Sequence, residues 1–233
     1  MPVTRRFGVE GREGLGRIAR EWIAAGSIPA EPGRAATVML LRDTPQGPEV
    51  FVQRRASTMA FAPSMVVFPG GRVDPADADA VMDDDALETL ATRMRLSATE
   101  ARPAIAAALR EVEEECGVRI GPDGLHPVAR WVTPKFEPRR YDTWFFAARM
   151  PADQVAEGTT SETVDERWGQ PAGLLALRES GDLLLMPPTI VMLEGLAEYD
   201  TVDGYLAHRP SLDLIEPTLV ETDDGFAVES TIP

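Results

Sequence analysis

Four glutamates crowd the end of one short stretch, "ALREVEEECGV" from Ala108 to Val118, just before Gly117. Read as a helix, it places Glu111, Glu114 and Glu115 at i, i+3 and i+4 on one face, while Glu113 points elsewhere. Carboxylates are disfavoured at a helix C-terminus, where the macrodipole is already negative. Glu111 and Glu115 also repel each other, by roughly 0.2–0.5 kcal/mol for a like-charged i, i+4 pair. A cation removes both penalties. Hard divalent ions such as Mg²⁺ prefer carboxylate oxygens, waters and substrate phosphates. Arg110 opens the cluster and is placed to brace one carboxylate through charge-assisted hydrogen bonds. The plain alternative is a solvated acidic face, and spacing alone leaves the two readings even.

The elements that must position this cluster follow from the rest of the chain. Its 233 residues, 44% hydrophobic, suffice for one domain with its own core, assigned here to 1–233. A net charge of −15 argues against nucleic acid as a partner and makes the basic pairs Arg54-Arg55 and Arg139-Arg140 stand out. One cysteine, Cys116, excludes an intrachain disulfide and fits a reducing compartment. No apolar run approaches the length of a membrane span, and "MPVTRRFGVEGREG" lacks the apolar core of a secretory signal. The expectation is a cytoplasmic protein with no membrane partner, and a homodimer is left open.

Residues 11–26 carry apolar positions at helical spacing. "RAATVMLLRD" and "EVFVQRR" read as a hairpin around "TPQGP", and "SMVVFPGGRVD" as a short strand ending in a Pro-Gly-Gly loop. Within 78–98, aspartates precede "ALETLATRMRL", a pattern that predicts a helical excursion on the surface. The main helix is expected from about Thr99 to Cys116, with Pro103 in or before its first turn because an interior proline breaks a helix. Two aromatic-rich strands then flank the basic loop "KFEPRR", and "ETVDERWG" supplies a further strand. Two helices separated at Pro187-Pro188 follow, and 215–231 reads as a C-terminal hairpin turned at Asp224-Gly225. Strands and helices in this order predict an α/β or α+β layered sandwich.

"REVEEECGV" matches the R-E-U-x-E-E-x-G-U half of the Nudix box at every defined position, U being apolar. The chain thereby resembles the Nudix hydrolase superfamily. The first half of that box is a glycine, five residues and a glutamate. Here Gly71 is followed by "RVDPA" and then Asp77, an aspartate in register. Ala78 to Leu109 separate Asp77 from Arg110 where the family has seven residues, so about 25 extra residues split the motif. "FAPSMVVFPGGRVDPAD", "WVTPKFEPRRYDTWFFAARMP" and "LLLMPPT" resemble the coenzyme A diphosphatase branch with an interrupted box, over most of residues 36–190.

The resemblance implies a Nudix-type α/β/α sandwich with a mixed sheet. It implies Mg²⁺ or Mn²⁺ held by Glu111, Glu115 and Glu114, with Arg110 orienting a carboxylate. Gly70 and Gly71 would let the loop backbone approach the phosphates. A later carboxylate often joins such sites, and Glu162 is the candidate, with Asp165 and Glu166 as rivals and a plain surface role for all three as the alternative. Arg54, Arg55, Arg139 and Arg140 are candidate phosphate contacts against an ordinary surface role. Trp131, Phe136, Tyr141 and Trp144 are candidates for stacking a base, though core positions suit most of them. His126, His208 and Cys116 receive no role.

The implied activity is metal-dependent hydrolysis of a small nucleoside diphosphate-linked substrate. Coenzyme A or an acyl-coenzyme A comes first, giving adenosine 3′,5′-bisphosphate and 4′-phosphopantetheine. ADP-ribose, a dinucleotide or a nucleotide sugar is the alternative in the same class. A catalytically weak ligand sensor on the same fold is the alternative of another class.

Overall fold

The computed structural model describes residues 2–7, 15–59, 62–158, 163–223 and 225–233. A short strand, Val3–Phe7 (β1), and a helix, Leu15–Ala24 (α1), precede the long strand Gly33–Thr44 (β2). Along β2, Ala36, Val38 and Leu40 enter one core while Met39 and Leu41 enter another. A strand covered on both faces is a continuous apolar run, which is what "AATVMLL" supplies. The chain turns back into Gly47–Arg55 (β3), with Leu41 opposite Val50 and Thr44 opposite Gly47, as the hairpin reading predicts.

The segment expected as one strand is two. Val66–Val67 (β4) pairs with β3, and Gly70–Arg72 (β5) crosses to the Ala35–Thr37 stretch of β2. Pro69 separates them, since it lacks the N–H that a continuous ladder needs. A 3₁₀ turn at Pro75–Asp79 and the helices Asp84–Met94 (α2) and Ala98–Cys116 (α3) follow. Then come His126–Val132 (β6), Tyr141–Arg149 (β7) and Thr163–Gly169 (β8). The helices Pro171–Glu179 (α4), Pro187–Ala197 (α5) and Val202–Ala207 (α6) precede Leu214–Ile215 (β9), Thr218–Thr222 (β10) and Gly225–Ile232 (β11).

The main sheet runs β4-β3-β2-β7-β6-β9, with β5 added to β2 and β8 to β3. It is mixed, because β2 and β7 are parallel, as are β6 and β9, while the other pairs are antiparallel. Trp144, Phe146 and Ala148 of β7 join the core under α2 and α3, and Phe145 and Ala147 join the core under α4, α5 and α6. The result is the expected α/β/α sandwich. A second, three-stranded sheet, β1-β11-β10, brings the two ends of the chain together and contains the expected C-terminal hairpin. No described helix is long and apolar enough to cross a membrane.

Three details depart from expectation. First, Pro103 lies inside α3, which starts earlier because Ser97 and Glu100 form a capping box that fixes the first turn at Ala98. Second, Pro187 and Pro188 do not separate two helices but open α5, where a missing N–H costs nothing. Third, the segment between Asp77 and Arg110 is no surface excursion. Asp83 caps α2 by accepting from the Ala86 N–H, and Leu87, Leu90, Ala91 and Met94 of that helix are buried with α3 and β2. A Gly-Ser linker in place of 78–98 would strip one side of that core.

Leu87→Ala should therefore cost about 2–5 kcal/mol, the range for truncating a buried leucine. A urea midpoint shift with an unchanged m-value measures it. A loss below about 0.5 kcal/mol, as at an exposed site, would return α2 to the surface.

Candidate active site

Arg110 gathers the acids. On the last turns of α3 it reaches back to the 3₁₀ turn, and its Nε and Nη2 bond Asp77 Oδ1 and Oδ2 at 3.1 and 3.0 Å. Its Nη1 donates to Glu111 Oε1 at 2.8 Å and Glu114 Oε2 at 3.1 Å, and its Nη2 also reaches the Arg72 carbonyl at 2.9 Å. A lysine, with one point charge, does not reproduce this fork. Asp77 is buried, and its Oδ2 also accepts from the Asp74 N–H at 2.7 Å, so it ties the arginine to the turn. The function of an aspartate here was left open by the sequence. Its register after Gly71 was the only signal.

The bond to Asp77, then those to Glu111, hold the Arg110 guanidinium more firmly protonated than usual. Burial pushes the Glu111 carboxyl above its ordinary range, and Arg110 only partly offsets this. Glu115 is buried, and its Oε2 accepts the Gly70 N–H at 2.9 Å. Glu114 is the most exposed of the three. Gly117, at φ 67°, ends the helix as predicted, with its N–H on the Glu113 carbonyl.

The two glycines of "FPGG" are required for different reasons. A Cβ on Gly71 would overlap the Glu111 carboxylate, and one on Gly70 would overlap the Ala36 carbonyl oxygen, where φ is also +154°. Both glycines, with Arg110, Glu111, Glu114 and Glu115, line a cavity of about 830 Å³.

Of each basic pair, the cavity takes one member. Arg55 and Arg139 line it. Arg54 instead donates to the Asp182 carbonyl, at 3.4 Å. Arg140 is buried and bonded to the Thr133 and Ala30 carbonyls and to Glu216, so it braces the chain around the cavity. Among the aromatic candidates, Trp131 and Tyr141 line the cavity, whereas Trp144 packs under α3 and Phe136 beside Val228. Glu162 lies outside the described residues. Of its rivals, Asp165 is paired with Arg167, and Glu166 turns toward Gly158, outside the cavity lining. Cys116 is buried, which pushes its thiol up to about 12, in keeping with the absence of a nucleophilic role.

Among the described residues, no group of three or more His, Cys, Asp or Glu side chains forms a ready metal cage. The bonds already described explain this: Glu111 and Glu114 are drawn to Arg110 and Glu115 to Gly70. The donor chemistry nonetheless fits a hard divalent ion, since three carboxylates line one cavity wall and Gly71 leaves the space beside Glu111.

The glycines give a direct test. Gly70→Ala forces backbone apart and should cost about 1–3 kcal/mol or more. Gly71→Ala meets only a mobile carboxylate tip, so its loss of stability should be clearly smaller. Denaturant titration of the two variants compares them. Equal losses would mean that the Glu111 tip is as rigid as backbone.

A scan against models of known protein families finds no match. A Caenorhabditis elegans protein named "Putative nudix hydrolase 7" is 24% identical over 199 residues, 79% of this chain. The aligned region spans 63% of that relative's length. The crystal structure of a NUDIX hydrolase from Alicyclobacillus acidocaldarius is 25% identical and superposes with a TM-score of 0.63, covering 77% of this chain and 97% of its own. Together with the observed fold, these likenesses support placing the chain in the Nudix hydrolase superfamily.

Proposed function

We propose that this protein hydrolyses the phosphoanhydride of a nucleoside diphosphate-linked substrate, with coenzyme A or an acyl-coenzyme A as the preferred one. The observation that carries the diphosphatase reading is the Arg110 network. It draws Asp77, Glu111 and Glu114 together at a glycine loop on the wall of a ligand-sized cavity. A surface built for solubility has no reason to bury a carboxylate against a glycine. The intact set Glu111, Glu114 and Glu115 also argues against a weakly catalytic sensor.

Glu111, Glu114 and Glu115 would hold Mg²⁺ or Mn²⁺. When bound, the ion supplies charge neutralisation at the phosphates and acidifies water. The chain's own residues do the rest. Gly70 and Gly71 keep side chains out of the space the diphosphate needs, and Arg110 holds the carboxylates in orientation. Arg55 and Arg139 face the cavity and are suited to phosphate oxygens. Water attacks one phosphorus, the bridging P–O bond breaks, and the water's proton must find a base. Glu114, as the most exposed of the three, has the access for this, and Glu162 is the second candidate. In this reading the motif of the superfamily is interrupted between Asp77 and Arg110, with its two parts rejoined by their ion pair.

The coenzyme A assignment rests on the sequence resemblance and on Arg139 at the cavity. The 3′-phosphate of coenzyme A needs a local cation in a chain of net charge −15. Arginine–phosphate contacts are roughly twice as strong as neutral hydrogen bonds.

Two measurements decide the parts separately. With Mg²⁺ or Mn²⁺ present, wild type should cleave the diphosphate, and Glu111→Gln or Glu115→Gln should lower turnover by orders of magnitude. The same variants should lose the rise in melting temperature that Mn²⁺ gives wild type. A wild type without any metal-dependent activity or melt shift would sink the diphosphatase. In the second measurement, kcat/KM should favour coenzyme A over its 3′-dephospho form and over ADP-ribose, and Arg139→Ala should narrow the first ratio. Equal or better turnover of ADP-ribose would remove coenzyme A and leave the diphosphatase.

A further inference from the structure

Much of the cavity has nothing to offer a phosphate. Away from the carboxylates it is lined by Phe7, Phe145, Leu185, Met186, Pro217 and Val228. These come from four separate parts of the chain, which the fold fastens to one another. Phe7 of β1 and Val228 of β11 are cross-strand partners, so the two ends of the chain share one stretch of wall. An Arg5–Glu194 ion pair ties β1 to α5. Val66 bridges to Leu185, and its N–H bonds the Leu184 carbonyl at 2.8 Å, which holds the approach to α5 against β4. Arg140 joins the 133–140 loop to Glu216, next to Pro217.

A wall held at so many points is a preformed surface. At about 830 Å³ the cavity is near the top of the usual range for ligand sites, roughly 300–1,000 Å³, and has room for far more than a diphosphate. Covering its apolar part with an apolar group removes that surface from water, which is the main favourable term in such binding.

We infer that the apolar chamber takes an alkyl or acyl chain carried by the substrate beyond its diphosphate, and that the paired terminal strands, through Phe7 and Val228, set this preference. The inference rests on the diphosphatase reading for the position of the diphosphate. It adds what lies beyond it: a flexible apolar arm is accepted, and a second polar sugar is not.

The test uses P1-adenosyl P2-alkyl diphosphates with methyl, butyl and octyl chains, which share the adenosine and the diphosphate and differ only in apolar length. Each methylene removed from water is worth about fourfold in affinity, so kcat/KM should rise by tenfold or more from methyl to octyl, mainly through KM. Affinities of the corresponding methylenebisphosphonate analogues, read by calorimetry without turnover, should rise in the same order. Phe7→Ser and Met186→Asp, on different elements, should each flatten the dependence on chain length. Two sites are used because Phe7 also packs in the core.

A series that is cleaved and bound equally well at every length would overturn the inference and leave the diphosphatase standing. Length-dependent binding without turnover of any member would remove the diphosphatase and leave the chamber. A slope unchanged in both variants, once circular dichroism shows them folded, would move the chain's contacts away from this wall and overturn the assignment.

Discussion

The site depends on one ion pair, the fork between Arg110 and Asp77. Its two residues are 33 positions apart, yet both guanidinium edges in use meet both carboxylate oxygens. Closing so long a loop costs entropy that rises only slowly with length, but holding a bidentate geometry needs rigid ends. The intervening chain supplies them. The 3₁₀ turn is locked by Asp77 itself, α2 is sealed into the core by Leu87 and Leu90, and α3 is started by its capping box. The segment between the two residues is thus part of the apparatus that positions Arg110, and its apolar face is what makes it so.

That dependence explains what could be read from the sequence and what could not. The hairpin of β2 and β3, the stop at Gly117 and the shared face of the glutamates are local consequences of turn residues, periodicity and chirality, and they stand as read. The position of α2 was misjudged because its leading aspartates advertise solvent, whereas its burial depends on α3 and β2, far away in sequence. Pro103 was placed too early because a proline rule outweighed the capping signal six residues upstream. The arginine pairs show the same limit more sharply. Alternation along extended chain says that one of two neighbours turns inward, but not whether inward means cavity or core. Arg139 and Arg140 take those two fates because carbonyls from Thr133 and Ala30 and a carboxylate from Glu216 converge on Arg140.

The local rules broken at the end of α3 are compensated by partners that a helix alone does not contain. Like charges at i and i+4, at the negative end of a helix dipole, are unfavourable by a few tenths of a kcal/mol each way. Two of the three carboxylates meet one guanidinium and the third meets a backbone N–H, so the cluster is neutralised by groups already fixed in place. Such conflicts between local preference and final structure are expected where function, rather than stability, selects the residue.

The same logic links the polar and apolar parts of the cavity. Gly70 lies so close to Ala36 and Thr37 that no side chain fits, which sets the separation between the glycine loop and β2. Glu115 takes the Gly70 N–H, so this separation also fixes the helix end. On its other edge β2 runs parallel to β7, whose Phe145 faces the apolar chamber, and β6, the next strand, carries Trp131 into the same lining. One strand therefore sets the distance from the carboxylates to the apolar wall. A change in the packing of β2 must reach both at once, and the part of a substrate that is cut and the part that is recognised are held to a single ruler.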